Sequence, residues 1–260
     1  MRAKKTLGQN FLMHARTAER IAEAAEITSS DTVLEIGPGT GMLTRALLAR
    51  AKCVVAVEAD VELIPRLEET FQEDLEKGKL RLVSADIRSY DPSELGAYKL
   101  VANIPYYITG EIIRTFLSGK SKPGSMTLLV QKEVAERIVR SKKESLLSLS
   151  VKVYGTPHYR FTVPRGAFVP APNVDSAVLS VTGIHDSFAS STEEGAFFKL
   201  LHAGFAHKRK LLVRNLEDVA PRDAILTAFH EASLPEKVRA EDVSLASWKL
   251  LTSLLLTHIS

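Results

Sequence analysis

The sequence runs to 260 residues, 45% hydrophobic and 25% charged, with a formal net charge of +3. That size suits one large globular domain, or a moderate domain with a small appendage. A single cysteine, Cys53, excludes an intrachain disulfide, and no apolar run approaches the roughly 18 residues of a membrane span. The basic N-terminus leads into Ala- and Glu-rich sequence, not an apolar leader core, so a cytoplasmic protein without a membrane partner is expected.

Up to about residue 155, short apolar runs alternate with amphipathic patterns, as in a parallel sheet covered on both faces. The predicted strands are Thr32–Ile36, Cys53–Val57, Leu80–Ser84, Lys99–Ala102 and Met126–Val130. Helical patterns fall over Thr40–Ala51, Val61–Leu75, Gly110–Leu117 and Lys132–Arg140. Pro65 fits a helix only near its start, where backbone N–H groups lack partners anyway. Tyr159–Val163 and Val174–Val181 then flank a Pro-rich loop, which predicts a terminal antiparallel strand pair on an otherwise parallel sheet. After a polar link at 183–194 the pattern is helical over Gly195–Leu216, Pro221–Ala232 and Ser244–Leu256. The expected layout is an α/β domain at 1–182 and a small all-helical domain at 183–260.

Glu35-Ile36-Gly37-Pro38-Gly39-Thr40-Gly41 ends the first predicted strand and opens a helix. Glycines there allow a tight turn and close approach of a ligand, at the edge where such sheets bind their ligands. The dinucleotide fingerprint G-x-G-x-x-G places its third glycine one position later than Gly41; the shorter spacing favours an adenosyl ligand without a pyrophosphate. Glu58 closes the second strand about 20 residues on, where an acid accepts from ribose hydroxyls, and Asp86 ends the third, placed to accept from an adenine amino group. Each acid alone reads as an ordinary surface carboxylate; three successive strand ends with suitable chemistry make a site.

Asn103-Ile104-Pro105-Tyr106 follows the fourth predicted strand. An exocyclic amine on adenine is a poor nucleophile because its lone pair is delocalised into the ring. The Asn103 carboxamide oxygen and the Ile104 carbonyl could accept its two N–H bonds and favour a pyramidal nitrogen. Tyr106 would offer a face for the base to stack on. Such a reaction needs alignment and electrostatics, with neither a strong base nor a metal. His202 and His207 have the wrong spacing for one face of a helix, so no metal site is expected.

With these motifs in place, the sequence resembles the ribosomal RNA adenine N6-dimethyltransferases, closest to the bacterial small-subunit type. The resemblance begins at Lys4-Lys5-Thr6-Leu7-Gly8-Gln9-Asn10-Phe11-Leu12 and continues through Glu35–Gly41, Glu58, Asp86 and Asn103–Tyr106. It then takes in Gln131–Arg137 and ends at Phe168–Val178. It implies a Rossmann-like class I methyltransferase sheet, S-adenosyl-L-methionine as cofactor, and a monomer acting on RNA of an immature small ribosomal subunit. Asn10, Leu12, Gly37, Gly39, Glu58, Asp86 and Asn103 would then touch the cofactor, and Phe168 would hold the extruded adenine beside Tyr106. Two positions depart from the family's habit: Arg165 stands where Pro is frequent, and Arg214 where Asn is common.

Residues 183–260 carry 9 Lys and Arg against 10 Asp and Glu, so positive charge there is local. If the helical pattern over 195–216 is continuous, His207, Lys210 and Arg214 share one face. Lys4, Lys5, Lys208, Arg209, Lys210 and Arg214 are the candidate RNA contacts, although such a charge run is often a solvated face. Two rival functions remain at this stage. One is a large-subunit enzyme of the antibiotic-resistance type, which shares the cofactor turn and Asn-Ile-Pro-Tyr. The other is a non-catalytic RNA-binding assembly factor, which an intact Asn103–Tyr106 argues against.

Overall fold

The computed structural model describes residues 9–259, so Lys4 and Lys5 lie outside the described residues. The chain divides into two compact units, one of residues 1–136 and 155–185, the other of 137–154 and 186–260.

The first unit opens with β1 (Phe11–Leu12) and α1 (Ala15–Ala24). Then come β2 (Thr32–Ile36), α2 (Met42–Leu48), β3 (Cys53–Glu58), α3 (Ile64–Thr70), α4 (Gln72–Glu76) and β4 (Leu80–Ser84). Next are β5 (Lys99–Asn103), α5 (Thr109–Ser118), β6 (Ser125–Gln131) and α6 (Lys132–Val139), the last running into the second unit. After α7 (Leu146–Lys152) the chain returns through β7 (Thr156–Val163), β8 (Phe168–Val169) and β9 (Ser176–Thr182). The main sheet has seven strands in the order β4-β3-β2-β5-β6-β9-β7. β4 through β6 pair in parallel; β9 is antiparallel to β6, and β7 antiparallel to β9. The terminal antiparallel pair on a parallel sheet is therefore as the sequence predicts. Val33, Leu34, Val54, Val55, Ala56, Val101 and Ala102 are all buried, because helices cover both faces of the central strands.

Helix ends differ from the periodic patterns. The expected helix over Val61–Leu75 is two, α3 and α4, broken at Phe71, whose φ of −119° and ψ of 25° leave the helical region. Pro65 sits in the first turn of α3, where it removes no intrahelical bond. α1 and α7 were not anticipated. α7 begins with a capping box in which Ser145 and Ser148 each bond the other's backbone N–H.

The second unit adds α8 (Ser191–Phe205), α9 (Leu212–Leu216), α10 (Arg222–Glu231) and α11 (Leu245–Ile259). A division at 182 misses the 137–154 segment. Tyr154 stacks on Phe198 with ring centroids 6.2 Å apart and donates to Glu194, while Lys143 pairs with Glu241. These contacts bind the segment to the helical unit. Phe197, Leu200, Leu201, Trp248, Leu251 and Leu255 form the core there. Among the described residues no helix is long and apolar enough to cross a membrane.

The continuous helix expected over Gly195–Leu216 does not exist. α8 stops at Phe205, residues 206–211 form an exposed turn, and α9 restarts at Leu212. His207, Lys210 and Arg214 therefore share no helical stripe. Asn215 explains the break: its buried amide donates to the carbonyls of Gly204 (2.6 Å) and His207 (3.2 Å), ending α8 with a side chain in place of helical N–H groups. Gly204 is required for packing, since a Cβ there would lie 2.4 Å from the Trp248 ring. Gly204→Ala should destabilise the protein by about 1–3 kcal/mol through overpacking. Denaturant titration checks this, and an unchanged midpoint would show that Trp248 can move aside.

Candidate active site

Parallel pairing aligns Ile36 with Val57 and Ala102, and Glu58 with Ser84, so the C-terminal ends of β2, β3, β4 and β5 open on one sheet edge. A cavity lies there. Asn10, Leu12, Gly37, Gly39, Glu58, Asp86, Asn103, Ile104 and Tyr106 all line it. These residues come from five separate parts of the chain.

Gly39 has a φ of 58°, and a Cβ on it would meet the Phe11 ring at 3.0 Å, so glycine both permits the turn and admits Phe11 across it. Gly39 N–H donates to Glu58 Oε2 at 3.1 Å, and Asp60 N–H to Glu58 Oε1 at 2.8 Å. Each oxygen keeps a further lone pair for a ligand hydroxyl. Burial lifts the Glu58 carboxyl above its ordinary value, against the lowering effect of the Asp60 and Gly39 amides. Asp86 behaves oppositely. The Arg88 guanidinium, 3.0 Å away through Nε, and the Arg88 amide at 2.9 Å hold its carboxyl below the usual range.

The Asn103 Nδ2 donates to the Asn10 carbonyl at 3.1 Å. Only the NH2 end of the amide can satisfy a carbonyl, so this bond fixes which way the group points and leaves Oδ1 as the acceptor. Ile104 buries its side chain while lining the cavity. Tyr106 begins a 3₁₀ turn, Tyr106–Ile108, and its phenol oxygen lies 2.6 Å from Ser176 Oγ. The neighbouring Tyr107 is 68% exposed on the same rim.

Phe168 is not on the cavity wall. It is 2% exposed, belongs to the apolar core and pairs with Leu12 across the β1–β8 ribbon. Its ring offers no open face for a base; it holds the Phe11–Leu12 segment in place. Sequence reasoning also gave no role to Phe11, Asp60 or Arg88. Gln9 Nε2 donates to Asp60 Oδ2 at 3.0 Å, a tie across the same edge. Asp60 follows Glu58 closely in the chain, a proximity that could have flagged it. Among the described residues no cluster of His, Cys, Asp and Glu could hold a metal ion.

The family model described as ribosomal RNA adenine dimethylase matches residues 1–256. The chain belongs to this dimethylase family. It is 43% identical to a ribosomal RNA small subunit methyltransferase A of Dehalococcoides mccartyi over 260 residues, covering 96% of this chain and 88% of the relative. A Lactococcus lactis protein of the same name is 38% identical, with 97% and 90% covered. Among solved structures, a dimethyladenosine transferase from Plasmodium falciparum superposes with a TM-score of 0.78 at 27% identity, covering 93% of this chain and 95% of that one. The 23S rRNA methyltransferase ErmE gives 0.76 at 27%, covering 95% and 99%. The sheet is thus that of a class I methyltransferase.

Within the dimethylase sheet one carboxyl stands apart. Glu35, in the middle of the sheet on β2, is fully buried, and neither oxygen has a hydrogen-bond partner. Burial pushes it up to about 8; the nearby Thr44 hydroxyl lowers it somewhat and the Glu58 charge raises it. Between about 4.5 and 8 the unfolded chain releases this proton while the folded chain keeps it. The native state binds more protons there, so stability falls as pH rises through that window and levels off above it. Glu35→Gln copies the protonated form. By denaturant titration it should match wild type near pH 4 and exceed it at pH 8 by on the order of 2–4 kcal/mol. Parallel profiles would mean that Glu35 ionises in the folded state as readily as in the unfolded chain.

Proposed function

We propose that this protein transfers methyl groups from S-adenosyl-L-methionine to N6 of two adjacent adenines in a hairpin loop near the 3′ end of small-subunit (16S) rRNA. The product would be N6,N6-dimethyladenosine, made in the cytoplasm by a monomer during subunit assembly. The observation that carries this reading is the Asn103 amide, turned by the Asn10 carbonyl so that its oxygen is the acceptor beside Tyr106 on the cavity. The relatives named for the small subunit stand at up to 43% identity, against 27% for the large-subunit enzyme ErmE, which favours the small subunit.

The cavity fits an adenosyl group. Gly37 and Gly39 hold positive φ values (68° and 58°) that bring bare backbone to the cavity wall, and Glu58 retains lone pairs for two ribose hydroxyls. Gly37, Asp86, Asn10 and Leu12 complete the holding residues. When bound, S-adenosyl-L-methionine supplies an electrophilic methyl group on a positively charged sulfur. The chain's own part is positioning. The target amine cannot reach this edge while stacked in RNA, so the base must be extruded, and Tyr106 provides the face that receives it. Asn103 Oδ1 and the Ile104 carbonyl accept the amine's N–H bonds, which directs its lone pair outward. Once the nitrogen carries the new bond it is cationic and strongly acidic, so its proton passes to water without a strong base.

Mass spectrometry of RNA from unmethylated small subunits incubated with the protein and cofactor tests the reading. Two dimethylated adenines should appear with wild type. Asn103→Ala should lower turnover about 100- to 1000-fold at saturating cofactor and RNA. Modification of large-subunit RNA alone would overturn the assignment, and undiminished turnover in Asn103→Ala would remove its proposed role.

The exposed turn of Lys208, Arg209 and Lys210, with Arg214 on α9, is proposed as an RNA contact; Lys4 and Lys5 are proposed alongside it. Arg214 lies 3.5 Å from Glu217, a surface pair of little consequence for binding. Phosphate contacts position RNA without reading sequence, and each adds about 0.7–0.9 to the salt slope of binding. Lys208→Gln with Lys210→Gln should weaken subunit binding and flatten its salt dependence. Single-turnover methyl transfer at saturating subunit should be nearly unchanged. A wild-type salt slope would make the turn merely a solvated surface.

A further inference from the structure

The segment Asn173-Val174-Asp175-Ser176 ends the Pro-rich loop and starts β9, and nothing so far explains why it carries two polar residues in a row. The structure accounts for both. The Asp175 carboxylate accepts the Arg165 N–H at 2.9 Å, and its backbone carbonyl accepts the Lys132 N–H at 3.0 Å. Proline at position 165 could not make the first of these bonds, so the arginine here secures the loop through its backbone. Ser176 follows, fully buried, paired with Gln131 on β6 and with Val163 on β7. It is held between two neighbouring strands.

A hydroxyl in such a place loses its hydration and is unfavourable unless it finds a partner. The partner is the Tyr106 phenol at 2.6 Å. Tyr106 itself stands on a short 3₁₀ turn that no side chain caps, and its ring is free to rotate about two single bonds unless its far end is held. A bond at the para oxygen supplies that hold. The motif's two ends are then each tied to a distant part of the chain, Asn103 to Asn10 and Tyr106 to Ser176.

We infer that Ser176 is a positioning residue for the methyl transfer: it holds the Tyr106 ring at a fixed angle so that the extruded adenine stacks with its amine at Asn103. The inference rests on the function proposed above. Ser176 touches neither base nor cofactor; it acts only through the phenol. Burial raises the Tyr106 phenol above its ordinary value, so the group stays a neutral hydroxyl able to share this bond near neutral pH.

A double-mutant cycle on Ser176→Ala and Tyr106→Phe reads the link. Each single variant should slow single-turnover methylation of small subunits about three- to tenfold, the effect of one neutral hydrogen bond. The double variant should be no slower than either single. Cofactor affinity by calorimetry should stay at wild type, which a general loosening of the sheet would not permit. Effects that multiply in the double variant, or a wild-type rate in a folded Ser176→Ala, would overturn the proposal.

A second measurement needs no turnover. In protein labelled at tyrosine Cζ, the Tyr106 signal is assigned by its loss in Tyr106→Phe, and it should shift in Ser176→Ala. An unmoved signal shows the bond absent in solution and also overturns the inference. If wild type methylates no small-subunit RNA while this signal shifts, the functional reading fails and the Tyr106–Ser176 bond stands.

Discussion

Glu58 divides its carboxylate between two backbone amides, Gly39 after β2 and Asp60 after β3. The loops that follow two adjacent parallel strands are thereby locked to one another by a single side chain at the strand end. The cavity depends on that lock. With the glycine turn fixed, Phe11 can lie across Gly39, and the segment from Gln9 to Leu12 can cross the sheet edge to reach Asn103 and Asp60. The acid that a ligand would address is also the one that shapes the place where the ligand sits. Binding and folding share the same hydrogen-bond acceptors.

The family likeness and the fold agree because the fold puts the motif residues where the chemistry needs them. Parallel strands end on the same edge, so motifs far apart in the chain arrive side by side without any of them encoding the others. The edge collects acceptors more than donors: Glu58 and Asp86 face the cavity, and the carbonyl-bound Asn103 adds an amide oxygen. Arg88 on the same wall pairs with Asp86, so Glu58 is the cavity acid whose further lone pairs stay open to a ligand.

Much of this was legible in the sequence, and the reasons are physical. β2, β3, β5 and β6 are buried on both faces, so they appear as mainly apolar runs, interrupted in β2 by Glu35, that need no knowledge of the rest of the chain. Glu58 and Asn103–Tyr106 were readable because each lies at or just beyond the end of such a run, and Asp86 because it closely follows the half-exposed strand β4. β1 was not, since two residues acquire strand character only by pairing with β8 far along the chain. Phe168 was given the base by the family resemblance alone, and no local sign in the sequence says which side of its loop the ring faces; the core holds it. The break after Phe205 was hidden because apolar spacing continues smoothly across it. The Asn215 amide bonds back to Gly204 and His207, and the Leu212 N–H donates to the Val238 carbonyl at 2.8 Å, so the helical ladder is left on both sides of the turn. α7, by contrast, had a local sign in Ser145 and Ser148 that periodicity alone passed over.

The Asn215 clamp has one more consequence. It grips backbone carbonyls, and the side chains from His207 to Lys210 all point away from the unit's interior. The shape of the turn is therefore set independently of what those side chains are. Such a segment works as an interchangeable tip: its charge, bulk or aromatic content can be rewritten as a block while the scaffold beneath keeps its form. Substitution of those side chains changes the surface of the unit and leaves the backbone clamp beneath it in place.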